Sequence, residues 1–455
     1  MKNYKKFWKL GVKEFNTEVF DINKSDELII REGNYQYRVM DLIKKFGTPL
    51  EVALPFFIEK RLNDLFDIFN YYLKFYHYNG RFFYHYPMKV NQNKEFVLPI
   101  ISEGGQIEVS SANELWLVKK LWEQDQFNTK IRVICNGPKT TAYLGLISDL
   151  RSRGLHVLAV IEDEEELAYF KKTPTTDLGI RTDIERKVQS RWDKKFNRFG
   201  FSPNEILNIG TIKNFKMLHY HIGSQITQVQ DLVYLLKEAM QLFVKLKEKN
   251  PGLDIIDIGG GFPISYDKKK NYPVERVVKG IVRHLSKITA KAKINPPDIV
   301  AEWGRYLVAP AQITIFKIIR QKNIANAMAK KWFIIDGSFI NDLSDTWALH
   351  QRWHIAPVNN MQVKKLERVW LAGLSCDSDD KYTEGGNYIL LPSLNEQEPG
   401  KNQYLAVFDT GAYQDSLSSH HCLLSSPAKV IAQNGILTLV RKHESPEEIG
   451  KQFGW

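Results

Sequence analysis

The sequence predicts an α/β fold that combines an eight-stranded parallel β/α barrel with a smaller antiparallel β domain. From Phe82 to Arg305, eight short runs of apolar, β-branched or aromatic residues alternate with stretches of helical periodicity. After Arg305 the pattern changes to short strands and turns without long helices. Eight alternating β/α units are typical of a closed, TIM-like barrel, with an open doubly wound sheet as the alternative.

The predicted barrel strands are short, and several helical stretches separate them. The strands are FFYHYPMKV (82–90), QIEVSS (106–111), KIRVICNG (130–137), HVLAVIED (156–163), DLGIRTDI (177–184), KMLHYHIG (216–223), DIIDIGGG (254–261) and DIVAEWGR (298–305). The helical stretches include NELWLVKKLWEQ (113–124), TAYLGLISDLRSRG (141–154), DLVYLLKEAMQLFVKLKEK (231–249) and VERVVKGIVRHLSKITAKA (274–292).

The predicted β domain draws on the C-terminal third of the chain. Its candidate strands are ITIFKIIR (313–320), WFIIDGSF (332–339), RVWLAGLSC (368–376), NYILLP (387–392), QYLAVFDTGAY (403–413), PAKVIA (427–432) and ILTLVRK (436–442). The strand-like ELIIREGNYQYRVM (27–40) is expected to join this sheet. We therefore predict an N-terminal segment (1–45) that joins the β domain, a barrel (46–305) and a C-terminal β domain (306–455).

Composition indicates a water-soluble enzyme. Hydrophobic residues make up 43% and charged residues 25% of the 455 residues, close to globular averages. No apolar stretch is long enough to span a bilayer, and the N-terminal residues carry charges where a signal peptide would be apolar, so we expect a cytoplasmic protein that binds no membrane. The net charge of +11 is scattered, so nucleic-acid binding is not predicted. Three cysteines, Cys135, Cys376 and Cys422, are too few for a disulfide framework.

Polar and glycine residues occur at the same end of nearly every predicted barrel strand. A parallel barrel gathers the carboxyl ends of its strands on one face, where active sites are built. In chain order, the residues at these ends are Lys89, Glu108, Ser110, Asn136, Asp163, Arg181, His221, Ser224, Gly259, Gly260, Gly261, Glu302, Gly304 and Arg305. We expect the active site among them.

These residue types favour one cofactor. Burying a lysine such as Lys89 at the end of a strand costs free energy unless the ammonium is paired or its amine reacts in the neutral form. The glycines at 259–261 and Arg305 together predict a phosphate site. The spacing of these glycines matches neither the GxGxxG motif of dinucleotide-binding proteins nor the P-loop of nucleoside-triphosphate-binding proteins. A lysine amine, a carboxylate and a phosphate site on one face suggest pyridoxal 5'-phosphate. No metal is predicted, because CDSDD (376–380) lacks the glycine and distal glutamate of a calcium loop.

The chain resembles the barrel-fold (fold type III) pyridoxal-phosphate decarboxylases, a family that includes ornithine, diaminopimelate and biosynthetic arginine decarboxylases. The motifs that carry the resemblance run in the family's order: YPMKVNQ (86–92), IEVSSANEL (107–115), ICNGPK (134–139), HYHIGSQ (219–225), DIGGGFP (257–263), AEWGRYLVA (301–309), CDSDD (376–380) and GAYQ (411–414). Several would be weak alone, but as a set they are specific.

The resemblance implies a role for each residue of the barrel site. Lys89 would form the Schiff base, Glu302 would pair with the pyridine nitrogen, His221 would stack on the ring, and Glu108 matches the acidic residue near the lysine. The residues expected to hold the phosphate, directly or through the backbone, are Ser224, Gly260, Gly261, Gly304, Arg305 and Tyr413.

The resemblance also implies a substrate and a partner. Cys376 matches a thiol that enters across a homodimer interface and protonates the α-carbon, so shared active sites are expected. Asp377 matches a carboxylate that faces the substrate's distal cation. The acidic residues that suit a basic amino acid are Asp336, Asp345, Asp377 and Asp380. The resemblance is strongest to arginine decarboxylases, which would place this chain in polyamine biosynthesis through agmatine.

Two features separate the chain from the longer arginine decarboxylases. Where those have S-L-P-D-x-W, this chain has DLSDTW, with Ser344 in place of the proline. Only about 26 residues (306–331) lie between the eighth barrel motif and WFIIDG, so the additional helical insertion is not expected. Decarboxylation of ornithine, lysine or diaminopimelate remains the alternative. A racemase is disfavoured because the family's alanine racemases carry an arginine at the ring nitrogen, and a silent regulatory paralogue would be expected to have lost Lys89 or Glu302.

Overall fold

A computed structural model describes residues 3–124, 131–172, 176–184, 197–267, 269–394 and 402–455. The chain divides into two compact units. The barrel unit comprises Glu59–Ile264 and Tyr272–Leu307, and the sheet unit comprises Met1–Ile58, Ser265–Asn271 and Val308–Trp455. The domain boundaries inferred from sequence, after residues 45 and 305, stay predictions.

Twenty-one strands and thirteen α-helices are present in the described ranges. The strands are β1 (Phe20–Ile22), β2 (Leu28–Glu32), β3 (Tyr35–Arg38), β4 (Leu50–Ala53), β5 (Phe82–Pro87), β6 (Gln106–Val109), β7 (Arg132–Cys135), β8 (His156–Ile161), β9 (Asp177–Thr182), β10 (Phe215–Tyr220), β11 (Ile255–Asp257), β12 (Asp298–Ala301), β13 (Gln312–Asn323), β14 (Lys331–Ile335), β15 (Ile355–Pro357), β16 (Leu366–Ala372), β17 (Lys381–Tyr382), β18 (Ile389–Pro392), β19 (Gln403–Val407), β20 (Ala428–Gln433) and β21 (Ile436–Arg441). The helices are α1 (Tyr4–Trp8), α2 (Val39–Phe46), α3 (Pro55–Phe75), α4 (Lys94–Ser102), α5 (Ala112–Glu123), α6 (Thr141–Ser152), α7 (Glu164–Lys172), α8 (Pro203–Ile209), α9 (Val229–Lys249), α10 (Val274–Ala292), α11 (Gly304–Val308), α12 (Asp345–Ala348) and α13 (Pro446–Gln452).

Strands β5 to β12 form the closed parallel barrel, in which each strand pairs with its sequence neighbours and β12 pairs with β5. All eight predicted barrel strands are confirmed, each within a few residues of its predicted bounds. The interior of the barrel is apolar and buried. This explains why the sequences of these strands are nearly continuous hydrophobic runs. The interior cluster consists of Ile134, Leu158, Val160, Met217, Ile255 and Val300.

Helix starts in the barrel unit follow local capping rules. The hydroxyl of Ser111 accepts a hydrogen bond from Glu114 N at the start of α5, and Thr140 caps α6 in the same way. Ser202 and Glu205 form a capping box at α8. Each cap satisfies a backbone N–H that the helix leaves without an internal partner, so the ends of these helices are set by nearby residues.

The sheet unit contains the predicted β domain, as a ten-stranded sheet built from β4 and β13 to β21. This sheet is mixed: most pairs are antiparallel, but β14 pairs with β16 and β20 pairs with β4 in parallel. Strands β4 and β20 are separated by the whole barrel sequence, a connection long enough to return the chain in the same direction, as parallel pairing requires.

The N-terminal segment differs from the expectation. The strands of ELIIREGNYQYRVM, β2 and β3, lie in a separate three-stranded antiparallel sheet of the sheet unit, in which β2 pairs with both β1 and β3. The N-terminal strand that joins the large sheet is β4 (Leu50–Ala53), which pairs with β13 and β20. Across the described residues, none of the helices is long and apolar enough to cross a membrane.

Candidate active site

Lys89 lies on a single 3-10 turn, Met88–Val90, directly after β5. Its neighbours Met88 and Val90 are buried, whereas Lys89 itself is exposed. Gly304 lies against this turn, since a Cβ there would come within 2.6 Å of Val90 Cγ2. Lys89 is near enough to two buried carboxyls, Glu108 and Glu302, to lower the pKa of both by its positive charge. The strand end therefore presents an amine to solvent beside two buried acids.

Glu108 lies on β6, the strand next to the lysine, with Pro87 as its register partner. It is fully buried, and Ser110 Oγ donates a 2.7 Å hydrogen bond to its Oε1. Its other oxygen has no hydrogen-bond partner among the described residues. Burial raises the pKa of Glu108 to about 8, with Lys89 opposing the rise and Glu302 adding to it. At neutral pH this carboxyl is mainly protonated.

Glu302 follows β12 and is buried. Asn136 Nδ2 donates a 2.9 Å hydrogen bond to its Oε1, and His219 Nε2 lies 3.7 Å from its Oε2. Burial raises the pKa of Glu302, while Lys89 and the Asn136 hydrogen bond lower it. The residue that follows β7 and a residue on β10 thus lie against the Glu302 side chain.

Two residues of this cluster, His219 and Asp257, were not among the predicted site residues. They are register partners on β10 and β11 and are fully buried. Asp257 Oδ1 accepts a 2.8 Å hydrogen bond from Gly259 N. Burial, followed by the charge of Glu302, raises the pKa of Asp257 well above its usual value, so Asp257 is protonated and can donate to Glu302. A polar residue inside each apolar strand was the signal that could have found them.

His219, Asp257 and Glu302 each offer a ligand atom within 4.8 Å of the others, close enough to hold a metal ion. Lys89, whose positive charge reaches Glu302, opposes cation binding in this cluster.

The glycine run after β11 brings the backbone close to His221 and Glu302. Gly260 N donates a 3.0 Å hydrogen bond to His221 Nδ1, which fixes the histidine ring. A Cβ on Gly260 would lie 2.9 Å from the carbonyl oxygen of Glu302, and Gly259 adopts a φ of +62° that favours glycine. The N–H groups of Gly259 and Gly260 bond to Asp257 and His221, and the phosphate contact expected of Gly260 stays a prediction.

The remaining predicted barrel residues lie at the same strand ends. Arg181 on β9 pairs with the buried Glu162 at 3.1 Å. Asp163, the residue expected at the end of β8, accepts from Glu166 N and caps α7. Arg305 is buried and Ser224 is half-buried. The phosphate contacts of Ser224, Gly261, Gly304 and Arg305 stay predictions.

The other predicted residues belong to the sheet unit, where Cys376 and Asp377 occupy an exposed turn after β16. Asp377 Oδ1 accepts from Asp379 N at 2.8 Å, and Asp377 Oδ2 lies 3.5 Å from His421 Nε2. The Asp377 side chain is 38% exposed, so its carboxylate is accessible to a ligand.

Three further acidic residues expected to face the substrate are buried or nearly so, and two of them support the backbone. Asp380 accepts from Phe339 N at 2.7 Å and Ser375 N at 2.9 Å, which uses both carboxylate oxygens. Asp336 accepts from Lys317 N at 2.8 Å and Thr48 Oγ1 at 2.5 Å. These contacts indicate that Asp380 and Asp336 stabilise nearby loops, in place of the expected contact with the substrate. Asp345 begins α12, and its N–H donates to Gln414 Oε1 at 3.3 Å.

Tyr413 lies in a loop held by a cluster of buried charges. Its φ of +70° is unusual for a residue with a side chain. Two residues later, Asp415 pairs with Lys429 at 2.5 Å and Arg441 at 3.3 Å, and both cations also pair with Glu51. These pairs tie the loop to three strands of the large sheet. The phosphate contact expected of Tyr413 stays a prediction.

The barrel site fits a pyridoxal group. The exposed amine of Lys89 is near the buried Glu108, one oxygen of which has no hydrogen-bond partner within the described ranges. The glycine run leaves open a space in which a Cβ would reach the backbone of Glu302. Residues 65–309 match a family model described as the pyridoxal-binding domain of pyridoxal-dependent decarboxylases. This match covers more than half of the chain.

Proteins similar to this chain include arginine decarboxylases and diaminopimelate decarboxylases. The biosynthetic arginine decarboxylase of Prochlorococcus marinus is 24% identical over 91% of this chain and 84% of its own, and that of Bacteroides thetaiotaomicron is 23% identical over 90% and 84%. Among solved structures, the biosynthetic arginine decarboxylase of Campylobacter jejuni superposes with a TM-score of 0.85 at 20% identity, covering 100% of this chain and 91% of that one. The diaminopimelate decarboxylase of M. jannaschii in complex with L-lysine gives 0.81 at 23% identity, with 96% and 98% covered.

Proposed function

The chain belongs to the pyridoxal-dependent decarboxylase family, and on that premise we propose that it decarboxylates L-arginine to agmatine and carbon dioxide. The observation that carries the chemistry is the placement of Lys89 beside the buried acids Glu108 and Glu302. Arginine is supported by similarity to curated arginine decarboxylases along about nine-tenths of the chain.

Bound pyridoxal phosphate supplies an electron-withdrawing ring that stabilises the negative charge left on the α-carbon when carbon dioxide departs. Lys89 Nζ is the amine that would hold the cofactor covalently. Glu302 would face the ring nitrogen and hold a proton there. Its carboxylate is oriented by Asn136 and by the protonated Asp257, so little reorganisation is needed as charge develops.

His221 and Glu108 complete the barrel site. His221 is held by Gly260 N and forms one face of the ring site. Glu108 is mainly neutral near pH 7 and can donate a hydrogen bond through its second oxygen. Removal of water by the substrate would strengthen each of these contacts.

The proton donor proposed for the α-carbon is Cys376, acting across a homodimer interface. Sharing a hydrogen bond with Cys422 raises the pKa of the Cys376 thiol, which keeps it protonated at neutral pH as an acid must be. We further propose that the protein is a homodimer with shared active sites and that it is located in the cytoplasm.

Asp377, with Asp345, is proposed to recognise the distal guanidinium. A planar guanidinium takes two parallel hydrogen bonds from one carboxylate, whereas an ammonium binds as a point charge. The alternative is a decarboxylase of ornithine, lysine or diaminopimelate, and the complex of the M. jannaschii enzyme with L-lysine supports testing it. The same residues of the barrel site would serve either substrate.

The substrate assignment is tested by carbon dioxide release from arginine, ornithine, lysine and diaminopimelate, with purified protein saturated with pyridoxal phosphate. We expect the highest specificity constant for arginine, with agmatine as the product. A faster reaction of any other substrate would overturn arginine while retaining a decarboxylase.

The cofactor assignment has its own experiment. Borohydride reduction of the loaded protein and peptide mapping should place the pyridoxyl group on Lys89, and Lys89→Ala should remain unlabelled. A visible absorption band in loaded protein, with no carbon dioxide from any of the four substrates, would favour the silent regulatory paralogue.

A further inference from the structure

Cys376 and Cys422 are adjacent in the sheet unit although 46 positions separate them in the sequence. Their sulfur atoms lie 3.8 Å apart, and both side chains are exposed. A disulfide has a sulfur–sulfur distance of about 2.0 Å, so the two atoms need to approach by less than 2 Å. For exposed side chains on turns, rotation about χ1 can supply such a movement.

The two turns are held in place by contacts other than the thiols. Asn341 Nδ2 donates a 3.0 Å hydrogen bond to the carbonyl of His421, next to Cys422. Asp380 accepts from Ser375 N at 2.9 Å, next to Cys376. His421 Nε2 and Asp377 Oδ2, at 3.5 Å, connect the turns directly. The thiols are therefore neighbours in the folded chain and have a high effective concentration for each other.

The third cysteine provides an internal contrast. Cys135 ends β7, is fully buried, and burial raises the pKa of its thiol to about 12. A buried, protonated thiol reacts slowly with oxidants, whereas an exposed pair exchanges readily. Thiol–disulfide exchange with a small-molecule disulfide in solution should therefore be confined to Cys376 and Cys422.

We propose that Cys376 and Cys422 form a reversible intramolecular disulfide when they react with a small-molecule disulfide such as oxidised glutathione. One thiol of the pair loses its proton and attacks the small disulfide, which forms a mixed disulfide and expels one thiolate. The second thiol of the pair then attacks the protein sulfur of the mixed disulfide and expels the other thiolate. The two cysteines lose two electrons and two protons together, and one glutathione disulfide becomes two glutathione thiols.

The effect of this disulfide on turnover rests on the proposed function. Cys376 is proposed to donate the proton to the α-carbon, and a sulfur in a disulfide has no proton to give. Oxidation should therefore reduce turnover to the level of a Cys376→Ala variant, and reduction should restore it. The pair would make the decarboxylase responsive to the thiol–disulfide balance around it.

The test uses full-length protein loaded with pyridoxal phosphate in glutathione buffers of increasing oxidised fraction, all with reduced glutathione in excess. After alkylation and digestion without reductant, mass spectrometry should find a peptide pair linked through Cys376 and Cys422, with Cys135 in the thiol form. Absence of this linked pair in every buffer would overturn the proposal.

The matched control is Cys422→Ser, which leaves Cys376 in place. Its turnover in fully reduced buffer serves as its own baseline, and relative to that baseline it should stay constant over the range in which wild type is inactivated. Equal inactivation of the two proteins would show that Cys376 is modified alone and would overturn the pair. A linked peptide with unchanged turnover would support the disulfide site and instead refute Cys376 as the proton donor. The peptide mapping needs no substrate. Its result therefore tests the disulfide even if the protein proves not to act on arginine.

Discussion

Asp257→Asn should make the folded protein less sensitive to rising pH. In the folded state Asp257 keeps its proton, because burial and the nearby Glu302 raise its pKa well above the usual value near 3.8. Asparagine has the same shape, and its amide can still donate to Glu302 and accept from Gly259 N. The variant therefore keeps the hydrogen bonds of the protonated acid while it removes the titration.

The direction and size of this pH effect on the free energy of unfolding follow from proton linkage. A carboxyl whose pKa is raised on folding leaves stability intact below its unfolded pKa and costs stability as pH rises toward its folded pKa. Over that window the folded state binds one proton more than the unfolded state, so unfolding free energy falls by about 1.4 kcal/mol per pH unit. As pH rises through that window, wild type should lose stability relative to Asp257→Asn, by at most about 1.4 kcal/mol per pH unit through this group.

The assay is urea unfolding of cofactor-free wild type and variant at pH 5, 6 and 7, followed by far-ultraviolet circular dichroism. Asp163→Asn is the matched control, since Asp163 is exposed and asparagine also caps a helix. This control should follow wild type at every pH. If the difference between wild type and Asp257→Asn stays constant from pH 5 to pH 7, Asp257 is not protonated in the folded state and the hydrogen bond to Glu302 assigned here is wrong.

Three further predictions concern turnover. Glu302→Gln should bind pyridoxal phosphate, as judged by absorbance, but lose turnover by orders of magnitude, because an amide cannot keep the ring nitrogen protonated; unchanged turnover would remove Glu302 from the mechanism. Mixing inactive Lys89→Ala and Cys376→Ala subunits should restore part of the activity if sites are shared, and no recovery after proven subunit exchange would contradict a shared site. Asp377→Asn should lower the specificity constant for arginine about ten- to a hundredfold, a loss suited to a partly exposed charged contact, and leave cofactor absorbance unchanged; an equal loss for a substrate without a distal cation would argue against charge recognition.

Sequence periodicity determined the eight strands of the barrel to within a few residues. Strands β5 to β12 were all predicted because burial on both faces requires continuous apolar runs, and this is a local property of each run. The approximate position of Lys89 and Glu302 followed from the same reasoning, because a parallel barrel places the carboxyl ends of its strands on one face.

Tertiary structure decided which side chains at that face act on one another. The hydrogen bond of Asn136 to Glu302 and the pairing of His219 with Asp257 depend on strand register, which periodicity does not specify. The same holds for Asp380, whose oxygens are both used by backbone N–H groups, one of them 41 positions away in the sequence.

The placement of β4 and the proximity of two thiols likewise lay beyond the sequence. β4 pairs with β13 and β20, strands that the chain reaches only after it has completed the barrel. Cys376 and Cys422 lie in turns whose relative position depends on hydrogen bonds from Asn341 and Asp380. Local sequence determines which segments are strands, helices or turns. Contacts between segments far apart in the chain depend on how the whole unit packs, and they determine the protonation states and reactive pairs from which function follows.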